Sequence, residues 1–268
     1  MIFPHKNLTQ MNLSIQLSAL VVERNKPRLC IDGGPHKAIG KDKLPCQLDA
    51  ITEVLADIQP GMYMSKIDDS NGFMHVNLNK WSQPLHGFQF GNIIYRAIAL
   101  PFGLSVSPPK FQMLNKVAVD ALKRRGYAIY LYLDDRLVLS TEKPRPNETS
   151  VQNFALLCLL TAFGGFLSIK KCQFIPTKRM DFLGFILDTR KCSIEVPKEK
   201  YEKAKLQIQA WLKSKKHFDI HDLEKIRGKL ASWMIVVPLM RLFIREQNAI
   251  IQQAYETGRF YLEKSGKC

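Results

Sequence analysis

The sequence contains no CxxC pair, no internal repeat and no apolar run of the roughly 18 residues that a membrane crossing requires. Its six cysteines, at 30, 46, 158, 172, 192 and 268, are too scattered for a zinc ribbon, and they read as reduced thiols. His217 and His221 are four apart with no cysteine pair or third ligand nearby, so they too predict no structural zinc. The N-terminal stretch MIFPHKNLTQMNLSIQLSALVV has Gln and Ser within its apolar part and no small-residue cleavage site. An intracellular protein, cytoplasmic or nuclear and not secreted, is therefore expected, without a membrane partner. Acidic residues are scarce: 24 Asp and Glu face 39 Lys and Arg, a formal charge of +15. A fold this basic repels itself, and a polyanionic partner, nucleic acid, is the commonest compensation. With 46% hydrophobic residues in 268, the chain can bury a sizeable core, which excludes wholesale disorder.

The pattern along the chain is mixed α+β. Residues 61–67 read as a buried strand running into Asp68, and residues 86–98 as two short strands joined by Gly91-Asn92. Ser107 is placed as the N-cap of a helix with Pro108 in its first turn. Its expected apolar stripe is Phe111, Leu114, Val117/Ala118 and Ala121/Leu122, with Gly126 closing it. Residues 127–140, YAIYLYLDDRLVLS, predict a hairpin with two adjacent acids at its tip. A polar, proline-bearing loop over 141–150 then precedes an apolar helix over 151–163, stopped by Gly164-Gly165. After Val196-Pro197 the chain turns Lys/Glu-rich, with at least two amphipathic helices, so domains of 1–196 and 197–268 are expected.

Two acidic pairs stand where strands end, Asp68-Asp69 and Asp134-Asp135. Neighbouring carboxylates beside a hydrophobic strand repel and need a strong compensating charge. Either pair alone is most simply a polar turn closing a hairpin. Two such pairs in a basic chain point instead to hard oxygen ligands from two segments, holding divalent cations for in-line phosphoryl chemistry.

The string Tyr132-Leu133-Asp134-Asp135 resembles the YxDD box of reverse transcriptases, and five further segments resemble that family's motifs in order. MSKIDDSNGF is similar to the first catalytic motif, and LPFGLSVSPPKFQ (100–112) to the segment supporting nucleotide and template. KKCQFIP (170–176) resembles the segment bearing a phosphate-side lysine, DFLGF (181–185) the primer grip, and KPRLCID (26–32) the fingers segment. LPFGLS and the helical tail look most like retrotransposon enzymes, DIRS-like or Gypsy-like.

The resemblance implies a right-hand polymerase fold: fingers and palm over 1–196, a helical thumb-like segment over 197–268. It implies RNA-directed DNA synthesis, with a primer 3′-hydroxyl attacking a dNTP on an RNA or DNA template. Asp68, Asp134 and Asp135 would be catalytic and hold two Mg²⁺ ions, replaceable by Mn²⁺, with the Asp69 carbonyl an extra ligand. Arg28, Phe73, Phe102, Gly103 and Lys171 (or Lys170) would meet the dNTP, Phe73 as a steric gate against a 2′-hydroxyl. Leu183, Gly184 and Phe185 would hold the primer end.

Other readings stay open: a core phenylalanine for Phe73, solvated charges for Arg28 and the lysines, and a tight-glycine strand for Leu183–Phe185. The chain departs from the family pattern at Asp69, where an apolar residue is usual, at Gly72, at Phe102 for the usual Gln, and at Gly33-Gly34. A catalytically degenerate, nucleic-acid-binding remnant is therefore the alternative function.

Overall fold

The computed structural model describes residues 2–4, 15–16, 18–23, 26–31, 46–90, 92–140, 146–213, 218–258 and 261–262. They form an α+β chain that divides into two compact units, 1–178 and 179–268. The division falls N-terminal to Val196-Pro197.

The first unit opens with β1 (Ile2–Pro4), β2 (Ile15–Gln16), β3 (Ser18–Glu23) and β4 (Lys26–Ile31), then α1 (Ile51–Asp57) and β5 (Met64–Asp68). β6 (Gly87–Phe90) and β7 (Ile93–Ala97) follow, with α2 (Ser107–Lys123), β8 (Ala128–Tyr132), β9 (Asp135–Leu139), α3 (Pro146–Ala162) and β10 (Gln173–Thr177). β6 and β7 are the expected strand pair; Gly91 of their turn lies outside the described residues. One sheet has the order β1-β7-β6-β2 and β3 pairs with β4 as a hairpin. The sheet that matters for function has the order β10-β5-β9-β8, antiparallel throughout.

Alternation along these strands sends Ile67, Ile129, Leu131 and Val138 to the face covered by α2 and α3, where they pack on Ala118, Val119, Leu122, Leu156 and Leu160. These residues are all buried, so the sheet's geometry is fixed by a dry, close-packed layer.

Two details of α2 differ from expectation. Ser107 is the first helical residue rather than the cap, Val106 standing before it, and its hydroxyl donates to the Pro101 carbonyl at 2.8 Å. The buried face is Phe111, Gln112, Ala118, Val119 and Leu122, while Leu114 and Val117 are exposed. The helix is turned so that polar Gln112 and Asn115 reach the hairpin. α3 begins at Pro146, inside the stretch expected to be loop, of which 141–145 lie outside the described residues. Gly126 and Gly164 end their helices with φ of +85° and +77°.

The second unit begins with β11 (Arg179–Phe182), β12 (Phe185–Asp188) and β13 (Ser193–Glu195), an antiparallel sheet in that order. It continues with α4 (Lys198–Lys213), β14 (Phe218–Asp219), α5 (Ile220–Ser232), α6 (Met240–Thr257) and β15 (Tyr261–Leu262). α5 is capped by Asp219, whose carboxylate accepts from the His221 amide at 2.9 Å. Ile220 and Leu223 of α5 bury against Ala254 of α6. On α4, Ala204 is buried whereas Tyr201 is half exposed. Among the described residues no helix is long and apolar enough to cross a membrane.

Candidate active site

Register brings the two acidic pairs together. β5 and β9 pair so that Asp68 lies directly opposite Asp135, and β8 places Tyr132 opposite Asp135 on its other side. Leu133 and Asp134 form the two-residue turn of the β8–β9 hairpin, and the Asp69 amide donates to the Asp134 carbonyl at 3.1 Å. Period-two alternation puts Lys66, Asp68 and Asp135 on one face of the sheet and Ile67 and Arg136 on the other, the face that carries the helices.

Three of the four acids meet a charge that their face provides. Lys171 Nζ donates to Asp68 Oδ1 at 2.8 Å, and Lys66 Nζ lies 3.4 Å from Asp135 Oδ1. Asp69 turns to the helix side, where the Arg136 guanidinium grips its carboxylate in a two-pronged bond, both arms 2.8 Å. Asp134 has no such partner: its Oδ1 is buried without a hydrogen bond. Burial first, then the charges of Asp69, Asp68 and Asp135, push its pKa up to about 6. Burial also raises Asp135, against the opposing pull of Lys66. The hydrogen bond to Asp68 raises Lys171. Among the described residues no three His, Cys, Asp or Glu side chains are gathered as a metal cage.

The hairpin is held from its open edge. β8 ends the sheet, and edge strands carry backbone groups that need partners. Asp49 accepts from the Leu131 amide at 2.8 Å and donates its own amide to the Leu131 carbonyl at 3.3 Å. Buried Gln112 donates to that same carbonyl at 3.2 Å and accepts from the Leu133 amide at 2.9 Å. These bonds hold Leu133 at φ +53°, a strained value for a branched side chain at the turn that carries Asp134.

Beside the hairpin lies a cleft of about 430 Å³, lined among others by Asp69, Phe73, Phe102, Asp134 and Lys171. Phe73, on a 3-10 turn spanning Gly72–His75, packs on Phe102 at 5.2 Å and edge-on to Phe111 at 5.4 Å between ring centroids. Gly72 has no room for a side chain: an added Cβ would overlap the Phe111 ring and stand 2.5 Å from Asp134 Oδ1. Gly103 takes φ +93°, and an added Cβ would collide with the Ile31 carbonyl oxygen, while the Ile31 amide donates to the Phe102 carbonyl at 2.8 Å. That contact ties the 100–112 segment to β4, whose Arg28 has a side chain outside the described residues.

In the second unit, Leu183 and Gly184, at φ +46° and +85°, form the two-residue turn between β11 and β12, and Phe185 is buried. Lys200 donates to the Gly184 carbonyl at 3.2 Å.

Sequence reasoning thus missed Lys66, Arg136, Asn115, Gln112 and Asp49. Lys66 was within reach, since it sits two residues before Asp68 on a strand and therefore shares its face.

The sequence model described as reverse transcriptase (RNA-dependent DNA polymerase) matches residues 7–187. The retrovirus-related Pol polyprotein of Drosophila melanogaster transposon 412 is 31% identical over 118 residues, 44% of this chain and 9% of that protein. Polyprotein P3 of Commelina yellow mottle virus is 30% identical over 152 residues, 55% of this chain and 8% of that protein. The chain thus spans less than a tenth of either relative. A foamy viral protease-reverse transcriptase (the dRH form), solved in complex with double-stranded DNA, superposes with a TM-score of 0.65 at 20% identity, covering 98% of this chain and 46% of that one. The α+β architecture is therefore that of the right-hand polymerases, and the chain belongs to the reverse transcriptase family.

Proposed function

We propose that this chain is the RNA-directed DNA polymerase domain of a retroelement, DIRS-like or Gypsy-like, with fingers and palm over 1–196 and a thumb over 197–268. The observation that carries the reading is the cross-strand pair Asp68–Asp135 with Asp134 at the adjoining turn. These three carboxylates come from two segments, and the buried Oδ1 of Asp134 has no hydrogen-bond partner. Such a donor set of hard oxygens suits divalent cations, and two Mg²⁺ or Mn²⁺ would be held by Asp68, Asp134 and Asp135. Asp69 adds its carbonyl, because its carboxylate belongs to Arg136. Bound there, the cations supply charge neutralisation and lower the pKa of an attacking hydroxyl.

The chain's own groups bind and orient. Lys171 and, from the fingers, Arg28 meet the triphosphate of a dNTP; Phe73, backed by Phe102 and Phe111, closes the sugar pocket. Gly103, packed against the Ile31 backbone, shapes the turn that presents Pro101 and Phe102 to the nucleotide cleft, and the Leu183-Gly184-Phe185 turn steadies the primer terminus. Attack of the primer 3′-hydroxyl on the α-phosphorus then releases pyrophosphate, with catalysis coming from positioning and fixed charge. The formal charge of +15 supports a template–primer duplex as the partner.

The test is extension of oligo(dT) on poly(rA) with dTTP and Mg²⁺ or Mn²⁺. Extension by the native chain is expected, with none from Asp134→Asn. Template–primer binding without any extension by the native chain would replace the enzyme with the degenerate binding remnant.

A further inference from the structure

Resting on the polymerase reading above, we propose that Asp69 and Arg136 form a positioning pair that fixes the two acidic segments relative to each other, a role that an apolar contact fills less rigidly. Asp69 is the residue that breaks the family's pattern, and its partner is the residue after Asp135. Both are buried, Arg136 at 0% and Asp69 at 3% side-chain exposure. Each follows a cross-strand partner of the Asp68–Asp135 pair by one residue. Alternation therefore drives both to the helix face, where they are diagonal neighbours.

There the guanidinium also donates to Asn115 Oδ1 of α2 at 2.6 Å. One side chain thus ties the end of β5, the start of β9 and helix α2. The bonds are directional: a two-pronged carboxylate grip fixes angle as well as distance. A buried ion pair of this kind is seldom a gain in stability over well-packed apolar residues, so its value lies in specifying geometry. What it specifies is the spacing of Asp68 from Asp134 and Asp135: Asp68 adjoins Asp69, Asp135 adjoins Arg136, and Asp134 stands one residue further on at the turn.

The experiment compares four proteins: native, Asp69→Leu, Arg136→Leu, and the double variant Asp69→Leu/Arg136→Leu. Each single change leaves a buried charge alone and is expected to unfold or aggregate. The double variant removes both charges, and circular dichroism and a thermal melt should show it folded. For that folded double variant, about tenfold weaker Mn²⁺ binding by titration calorimetry or electron paramagnetic resonance is expected, together with a kcat at least tenfold lower and an unchanged KM for dTTP. Asp69→Glu, which keeps the pair but lengthens one arm, should fall between the two. Native Mn²⁺ affinity in the double variant, or native kcat, would overturn the positioning role. The Mn²⁺ measurement does not need turnover, so an inactive native chain would sink the polymerase reading without deciding this one.

Discussion

Replacing Asp134 by Asn should stabilise the metal-free protein while destroying its capacity for catalysis. The cause is the raised pKa of Asp134, lifted from 3.8 to about 6 by burial and by the three neighbouring acids. Such a rise corresponds to about 3 kcal/mol of penalty on the ionised form. The turn is only partly buried, so screening by solvent reduces this to about 2 kcal/mol. Below the unfolded-chain value of 3.8, Asp134 is protonated in both states and costs nothing. As pH rises through about 6 the folded state is forced to ionise, and stability is lost. Asn is nearly isosteric and never ionises, and its amide can donate toward the acids around it. In EDTA near neutral pH the variant should therefore melt about 5 °C higher than the native chain. The difference should vanish near pH 4. Added Mg²⁺ should reverse the order, raising the native melting temperature and leaving the variant's unchanged. A variant that melts lower at neutral pH in EDTA, or a difference that does not move with pH, would refute the account of Asp134 as a strained, unpartnered charge.

Two other perturbations follow from packing. Gly72→Ala forces a methyl against the Phe111 ring and Asp134 Oδ1. A loss of about 1–3 kcal/mol in urea denaturation is expected, with weaker Mn²⁺ binding; native stability would show that the turn can move aside. Phe73→Val opens the floor of the cleft and removes ring contacts to Phe102 and Phe111 worth about 0.5–1.5 kcal/mol each. The ratio of dTTP to UTP incorporation should fall at least tenfold, and an unchanged ratio would return Phe73 to a purely structural role.

What the sequence displayed, it displayed through apolar periodicity. The strand into Asp68, the 127–140 hairpin and the helix stop at Gly126 could be read because alternating or 3.6-spaced hydrophobics and a terminal glycine mark them. The facing of α2 could not. Counting apolar residues selected Leu114 and Val117 for the core, yet both are exposed, because the helix turns Gln112 and Asn115 inward. Those polar residues belong to the hairpin's clamp, and a rule that scores only hydrophobicity assigns them to solvent. Arg136 escaped for the same reason. It is wholly buried on an apolar face, and its partner Asp69 is 67 residues away, so nothing local marks the pair. Sequence reasoning failed where polar groups were buried for geometry, which is where functional constraint overrides patterning.

The departures from the family pattern bear on whether the site is intact or decayed. Drift in a sequence released from selection leaves buried charges orphaned and glycines replaced wherever a side chain can be squeezed in. Here the unusual Asp69 is answered by Arg136 with two 2.8 Å bonds, although the two residues are far apart in the chain. Gly72 stands where any side chain would collide with Phe111 and Asp134. Phe102, which gives up a polar contact, gains a ring neighbour in Phe73. An uncompensated buried charge alone costs about 3–5 kcal/mol, a large fraction of a domain's stability, so a lone Asp69 could not have persisted by neglect. Each of these three changes has its physical partner in place, and the three acids proposed to hold the cations remain beside one another in register. That pattern favours a working polymerase with its own local solution to holding the acids over a remnant that merely kept its shape.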